Sequence, residues 1–374
     1  MNTEIKREDF TVHDRILRYF FHDVPRIIKK LLRKTQTAVW ISIILTCAGA
    51  GLTGCGTWRQ EAPAEDLKNV EYVFSYAENQ PEDYPTTGAA RYFAELVQER
   101  SGGRIRINVE SGGRLGDEES VISQLAYGGI DFARVSIASV SQDIPDLKIL
   151  MLPYLYKDEA HMWKVLDGEI GDQFLRRFEG SGMKALGWYD AGARSFYTSG
   201  RPIRTPEDMK NLKIRVQGSD IMEELVRALG AEPVQAAYSE VHEMLELQEI
   251  DGAENNLASY MAEEHYLQAK YYTLDEHSRI PEVQMISEAT WKQLSAEDQQ
   301  LIAQCAKESA EYERSMWKEY EERALDTVKA AGCQIIRLSE DERKAFEEKT
   351  AGIYKTYFSD QEELIRQIQN AQGK

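Results

Sequence analysis

Between residues 70 and 137 the chain switches back and forth between two hydrophobic periods, and this alternation constrains the fold more than any other feature. Val70–Tyr76 alternates and is rich in aromatic residues, as a half-buried strand does. Residues 86–100 place Ala89, Ala90, Phe93, Leu96 and Val97 at helical spacing, and Ser101-Gly102-Gly103 ends the segment. Arg104–Val109 is again a strand, apolar at Ile105, Ile107 and Val109. After the turn at Gly112-Gly113, a helix over 117–127 carries Val121, Ile122 and Leu125 on one face. Gly128-Gly129 stops it, and Ile130–Ile137 returns to strand. Strands alternating with helices at this spacing predict an α/β fold with parallel pairing, because a parallel pair needs a long crossover.

The rhythm recurs further along. Leu212–Val216 reads as a strand, 219–229 as a helix ended by Gly230, Glu232–Gln235 as a short strand, and 238–249 as a helix. Ile250-Asp251-Gly252-Ala253 then follows its helix as Ile130-Asp131-Phe132-Ala133 follows the earlier one. The echo predicts two similar α/β lobes, with chance similarity as the alternative. From Ser295 the character changes. Ser295-Ala-Glu-Asp298 opens a helix that runs to about Ala331. At 1.5 Å per residue such a helix is roughly 50 Å long, longer than one lobe is wide, so it is expected to brace both. Ser339-Glu-Asp-Glu342 opens another helix, and 358–371 forms a last one.

Charge divides the chain differently. The formal net charge is −18, yet residues 1–54 carry +4 and residues 55–374 carry −22. So acidic a body repels phosphate backbones, which excludes nucleic acid as a partner. At the front, Arg26, Lys29, Lys30, Arg33 and Lys34 run into an uncharged stretch from Thr35 to Thr53. That is the layout of a secretory signal. It ends in Leu52-Thr53-Gly54-Cys55, which matches a lipobox, so cleavage before Cys55 and lipidation of its thiol are expected. An uncleaved anchor with a chance cysteine is the alternative. Residues 56–69 suit a tether, and no second apolar span follows.

Catalytic chemistry has little to work with. Beyond the leader the histidines are His161, His242, His265 and His277, none in a metal-ligand spacing, and neither a nucleophile elbow nor a phosphate loop occurs. No metal, no cofactor and no enzymatic activity are expected. Cys305 and Cys333 form no zinc motif, and sequence leaves open whether they pair. Two arginines stand out instead. Arg194 lies near the start of a short strand, Gly192–Tyr197, and Arg215 alternates with apolar Ile214 and Val216. Read blind, each either pairs with a surface acid or offers a guanidinium fork to a carboxylate.

A longer pattern bears on that choice. Arg201-Pro-Ile-Arg-Thr-Pro-Glu-Asp-Met-Lys-Asn-Leu-Lys-Ile-Arg-Val216 is followed by Leu229-Gly230-Ala231-Glu232-Pro233-Val234 and by Ile250-Asp251-Gly252-Ala253-Glu254-Asn255. Together these closely resemble the DctP-type solute-binding proteins of TRAP transporters. Gly113-Arg-Leu-Gly116, Gly129-Ile-Asp-Phe-Ala133 and Leu152-Pro153-Tyr154 fit the same family, and the likeness spans about residues 70–350. The resemblance implies a two-lobed, type II periplasmic-binding-protein-like α/β fold with a long helix bracing both lobes. It implies that a ligand carboxylate lies between them. Arg215 takes the place of the arginine that chiefly holds it, Arg194 matches a second contact, Asn255 orients the pair, and Tyr238 packs on the ligand. The family's usual proline after that asparagine is replaced by Asn256, which puts the turn geometry there in question.

The rest of the pocket is expected from Ala77–Tyr84, Glu118 and Ser136, so that Glu78, Tyr84, Glu118, Ser136 and Tyr238 offer hydroxyl partners and a stacking surface. Arg134 shares a strand face with Phe132 and Ser136, either as a structural ion pair or as a cation meeting a second ligand anion or sugar hydroxyls. The domain reading is a signal at 1–54 and a lipidated tether at 55–69. Lobe 1 is 70–191 plus about 282–320, and lobe 2 is 192–281 plus about 321–374. The implied function is capture of an organic acid at the outer face of the cytoplasmic membrane by a lipid-anchored monomer that delivers it to TRAP permease subunits. A sugar acid such as a hexuronate or aldonate is favoured. A C4-dicarboxylate, or presentation of the ligand to a sensor kinase, is the alternative.

Overall fold

The computed structural model describes residues 69–371. The leader, the Leu52–Cys55 lipobox and the tether up to residue 68 lie outside the described residues, as do residues 372–374. Eleven strands form two sheets among the described residues: β1 (Tyr72–Ala77), β2 (Ile105–Glu110), β3 (Phe132–Ser136), β4 (Met183–Tyr189), β5 (Arg194–Thr198), β6 (Lys213–Val216), β7 (Glu232–Gln235), β8 (Gly252–Asn255), β9 (Tyr271–Ser278), β10 (Glu282–Ser287) and β11 (Gln334–Arg337). One sheet has the order β2-β1-β3-β10-β4 and the other β11-β9-β5-β8-β6-β7. The chain passes between them three times, through the short crossovers at residues 190–193 and 279–281 and again over residues 288–333. Around the sheets lie α1 (Pro85–Arg100), α2 (Glu118–Tyr127), α3 (Ile137–Val140), α4 (Glu159–Leu166), α5 (Glu169–Arg176), α6 (Asp220–Ala228), α7 (Val241–Glu246), α8 (Leu257–Ala262), α9 (Glu288–Gln293), α10 (Ala296–Ala330), α11 (Glu340–Thr350), α12 (Gly352–Phe358) and α13 (Glu362–Gln369).

The echo in the sequence corresponds to one plan used twice. In the first lobe β1 pairs in parallel with β2 and β3, and β10 runs antiparallel beside β3. In the second, β6 pairs in parallel with β7 and β8, and β5 runs antiparallel beside β8. The two Ile-Asp repeats do the same work in each. The Asp131 carboxylate accepts the Ser75 backbone N–H of β1 at 2.8 Å, and the Asp251 carboxylate accepts the Lys213 N–H of β6 at 2.8 Å. Their carbonyls also match, accepting from Ser287 and Ser199 of the flanking antiparallel segments. Gly252 follows the second repeat because β5 passes so close that a Cβ there would stand 2.2 Å from the Tyr197 carbonyl oxygen.

Three segments differ from the sequence reading for local reasons. The third strand stops at Ser136, whose hydroxyl accepts the Ala138 N–H and starts α3. Residues 238–249 split into a 3₁₀ turn over Tyr238–Glu240 and α7, and the left-handed Gln248 closes them. The chain after Ser339 forms α11 to α13 rather than two helices.

Helix α10 is 35 residues long, N-capped by the Ser295 hydroxyl on the Asp298 N–H. It packs on α1 and β4 of the first lobe and on α8 of the second. Cys305 sits in a core cluster with Phe93 and Ile302, Cys333 in another with Tyr260 and Tyr272, and both thiols are free. Midway along α10, Glu313 is fully buried and accepts the Asp190 N–H of the first crossover at 2.9 Å. Burial, reinforced by the Asp190 charge, pushes its carboxyl well above the ordinary 4.5. A carboxyl raised in the folded state contributes stability that is complete below about 4.5 and is lost as pH rises toward its folded value. Urea unfolding at a series of pH values should therefore show stability falling above pH 5. Glu313→Gln should flatten that fall; an unchanged slope would contradict the assignment.

Candidate functional site

The carboxyl ends of the parallel strands of both lobes face a shared cleft, the position at which open α/β sheets gather ligands. Two hydrogen bonds join the lobes beside it. Tyr238 donates its hydroxyl to Gln80 Oε1 at 3.0 Å, and the Tyr84 hydroxyl lies 2.9 Å from Ser259 Oγ. Further along the rim, Lys148 pairs with Asp220 at 2.7 Å and Gln142 donates to the Gly218 carbonyl. The lobes are thus in contact across the cleft.

On the first lobe, Arg134 of β3 is buried and spent on its own chain. Its Nε donates to Glu78 Oε2 at 3.0 Å, Nη1 to Glu282 Oε2 at 2.6 Å and Nη2 to Asn79 Oδ1 at 2.6 Å. Of the two readings left open for Arg134, the geometry is that of the structural ion pair. Glu118, at the start of α2, accepts the Ser136 N–H, the Asn79 amide and the Ser139 hydroxyl. Burial and the neighbouring Glu282 push its carboxyl up to about 7. This wall therefore carries three acids, Glu78, Glu118 and Glu282, around one guanidinium.

The second lobe has the opposite balance. Arg194 of β5 grips Glu254 of β8 with both Nε, at 2.5 Å, and Nη2, at 2.9 Å, while Nη1 donates to Asn255 Oδ1 at 2.9 Å. Burial alone would raise the Glu254 carboxyl; Arg194 and His277 outweigh it and hold it at about 2. Burial would lower His277, but Asp275 at 2.9 Å and Glu254 at 3.4 Å push it up to about 9, so the imidazole is charged at pH 7. Strand registers make Arg194 the counterpart of Glu282, and Glu254 the counterpart of Arg134. The two lobes carry the same ion pair with its charges exchanged.

Arg215 of β6 is different. It is 2% exposed, and its Nε and Nη2 both donate to the Ala236 carbonyl, at 3.0 and 2.7 Å. Among the described residues no carboxylate stands within ion-pair distance of it. Burial pulls its guanidinium below the ordinary 12.5, with Glu254 acting in the opposite sense, yet arginine keeps its proton at any physiological pH. Its charge reaches across the cleft, where it partly offsets the rise of the Glu118 carboxyl. A buried guanidinium held only by a carbonyl is an unneutralised charge, and such a group is costly until an anion meets it.

The structure thus gathers Arg215, Arg194, Asn255, Tyr238, Glu118, Ser136, Arg134 and Glu78 at the cleft. Tyr84 stands at its edge, its ring packed edge-on against Trp317 and Tyr320 of α10 and its hydroxyl on Ser259. Asn256 keeps the φ of −71° that a proline would impose and caps α8 through Oδ1 on the Ser259 N–H at 2.6 Å. Sequence reasoning missed Glu254, Glu282 and His277, while Asn79 and Gln80 lie within the expected Ala77–Tyr84 segment without having been singled out. Glu254 stood inside the quoted Asp251–Asn255 run, and its alternation with Asn255 was the available signal. No cluster of three or more His, Cys, Asp or Glu among the described residues fits a metal ion, and no described helix is long and apolar enough to cross a membrane.

Two lobes and a charged cleft define a binding protein that encloses a small anion. The chain belongs to the bacterial extracellular solute-binding protein family 7, DctP, whose profile matches residues 76–361. Three solved structures illustrate the likeness. A TRAP periplasmic solute-binding protein from Bradyrhizobium sp. BTAi1, in complex with D-galacturonate, is 37% identical, with a TM-score of 0.77 over 80% of this chain and 99% of that one. One from Pseudomonas putida F1 with D-glucuronate is 34% identical, with a TM-score of 0.78 over 81% and 98%. One from Sulfurospirillum deleyianum with succinate is 27% identical, with a TM-score of 0.78 over 81% and 100%. The family is extracytoplasmic, and its members serve transport by binding solutes.

The Arg194–Glu254 pair gives a direct test. Glu254→Leu should cost about 3–5 kcal/mol in urea unfolding, because it strands a buried guanidinium, whereas Arg194→Met/Glu254→Leu should recover most of that loss. A double variant as unstable as the single one would mean that the pair is not self-neutralising.

Proposed function

We propose that this chain is the substrate-capturing subunit of a TRAP-type transporter, anchored outside the cytoplasmic membrane through a lipid on Cys55, and that its ligand is a hexuronate. It delivers that ligand intact to separate membrane permease subunits. The observation that carries the ligand class is the unequal charge of the two walls. Arg215 offers one unneutralised cation, suited to one carboxylate and a bidentate grip. Opposite it, Glu78, Glu118 and Glu282 already occupy Arg134 and present acceptor oxygens. A sugar acid has a carboxylate for the first wall and hydroxyl donors for the second. A dicarboxylate would set its second anion against three acids. The galacturonate and glucuronate bound by the two related proteins at 37% and 34% identity support the same choice. In this reading Asn255 and Arg194 hold the floor beside the carboxylate, Tyr238 packs on the sugar ring, Glu118 and Ser136 meet hydroxyls, and Tyr84 steadies the cleft edge.

Calorimetric titration with D-galacturonate, D-glucuronate and succinate tests the reading. One or both hexuronates should bind, and Arg215→Ala should weaken that binding by about 3–5 kcal/mol, roughly a hundredfold to several thousandfold. Tighter binding of succinate than of either hexuronate would replace this ligand class with a C4-dicarboxylate. Unchanged hexuronate affinity in Arg215→Ala would refute the role of Arg215.

A further inference from the structure

The first wall of the cleft holds more acid than its one guanidinium can neutralise. Glu78 and Glu282 take hydrogen bonds from Arg134 at 3.0 and 2.6 Å, whereas Glu118 Oε1 stands 3.7 Å from Arg134 Nη1 and takes none. All three acid side chains are 14% exposed or less. Fully ionised, they would set three negative charges against one positive in a place with little water. Like charges so confined do not all stay ionised, and one acid takes a proton. Glu118, the acid that the guanidinium does not hold, is the one placed to do so.

The surroundings of its two oxygens fit that role. Oε1 accepts the Ser136 N–H at 3.0 Å and the Asn79 amide at 3.1 Å, donors that carry hydrogen whatever the state of Glu118. Oε2 meets the Ser139 hydroxyl at 2.6 Å. A hydroxyl donates or accepts as required, so a proton on Oε2 is taken by the Ser139 oxygen with no heavy atom moved. Burial, with Glu282 beside it, already raises this carboxyl to about 7. The other charges around α2 are engaged elsewhere. Arg114 pairs with Glu110 at 3.4 Å, Lys292 of α9 pairs with Glu288 at 3.2 Å beyond the far end of the helix, and Asp117 caps it through the Ser120 N–H. Glu119, next in the chain, is exposed. Two cations oppose the proton, Arg134 beside Glu118 and Arg215 across the cleft, and a ligand alters the second.

We propose that Glu118 is the proton-binding group of the cleft, and that capture of a carboxylate on Arg215 brings a proton from solvent onto Glu118 Oε2, shared with Ser139. The inference rests on the carboxylate reading of the cleft given above. A bound carboxylate cancels the Arg215 charge, adds a negative charge of its own and displaces water, and all three favour the protonated acid. A sugar hydroxyl beside Glu118 has lone pairs as well as a proton, so it serves the protonated acid too. Uptake of a proton on binding means that affinity falls as pH rises through the range in which the free protein loses that proton.

Calorimetric titration with D-galacturonate, D-glucuronate and succinate, run in PIPES and in Tris, counts the protons exchanged, because the two buffers differ in ionisation enthalpy. With each acid that binds, the enthalpies should differ in the sense of uptake, and affinity should fall about threefold or more from pH 6 to pH 8. Glu118→Gln keeps an acceptor for the Ser136 N–H and gives Ser139 a donor, so it should bind with neither effect. In the unsubstituted protein, the carboxyl carbon resonance of Glu118 reads the same proton directly, and its titration midpoint should rise when the ligand is added. Binding without proton uptake, a pH dependence that persists in Glu118→Gln, or a midpoint that the ligand leaves in place or lowers would overturn the inference while the carboxylate reading stands. Binding of none of the three acids would overturn that reading, and the inference with it.

Discussion

A buried guanidinium without an anion of its own organises the cleft. Arg134 and Arg194 are equally buried, but each is met by a carboxylate of its own chain, Glu78 and Glu282 in one case and Glu254 in the other. Those pairs are structural, and they neutralise what would otherwise be competing attractors for a ligand. Arg215 has only the Ala236 carbonyl. Transfer of an unpaired charge out of water is unfavourable by several kcal/mol, and that unfavourable term is relieved when a carboxylate arrives. In the proposed function, Arg215 holds part of the binding free energy as an unsatisfied charge in a fixed place.

The placement depends on the repeated plan of the lobes. Each lobe carries an ion pair between its third parallel strand and the antiparallel strand beside it, with acid and base exchanged between lobes. The exchange leaves the first wall rich in carboxylates and the second rich in cations, including a charged His277. In the proposed function, a cleft with one wall of each sign orients a ligand that has an acid at one end and hydroxyls at the other. Helix α10 and the two short crossovers join the walls, and Glu313 ties the helix to the first crossover by accepting the Asp190 N–H.

Much of this was legible in the sequence. Periodicity predicted β1 to β3 with their helices and the span of α10, because those segments bury one face in a regular repeat and are closed by glycines or a capping serine. The Ile-Asp echo was readable because the same aspartate–backbone contact is built twice. Arg215 stood out through its alternation with Ile214 and Val216. The partner of each arginine was not legible. Glu254 and Glu282 are 60 and more residues from the guanidinium each meets, and only sheet register brings them together. Spacing along the chain carries no trace of such a pairing, so Arg134 stayed ambiguous until its three donors could be followed. His277 was hidden for the same reason, its charge being fixed by two buried acids rather than by its neighbours in sequence.

The most direct measurement is a crystal structure of the protein grown with D-galacturonate. The account predicts the sugar carboxylate on the Arg215 guanidinium, with the Arg134–Glu78–Glu282 and Arg194–Glu254 pairs intact and the hydroxyls turned to the first lobe. A carboxylate seated on Arg134, with Glu78 or Glu282 displaced, would contradict it.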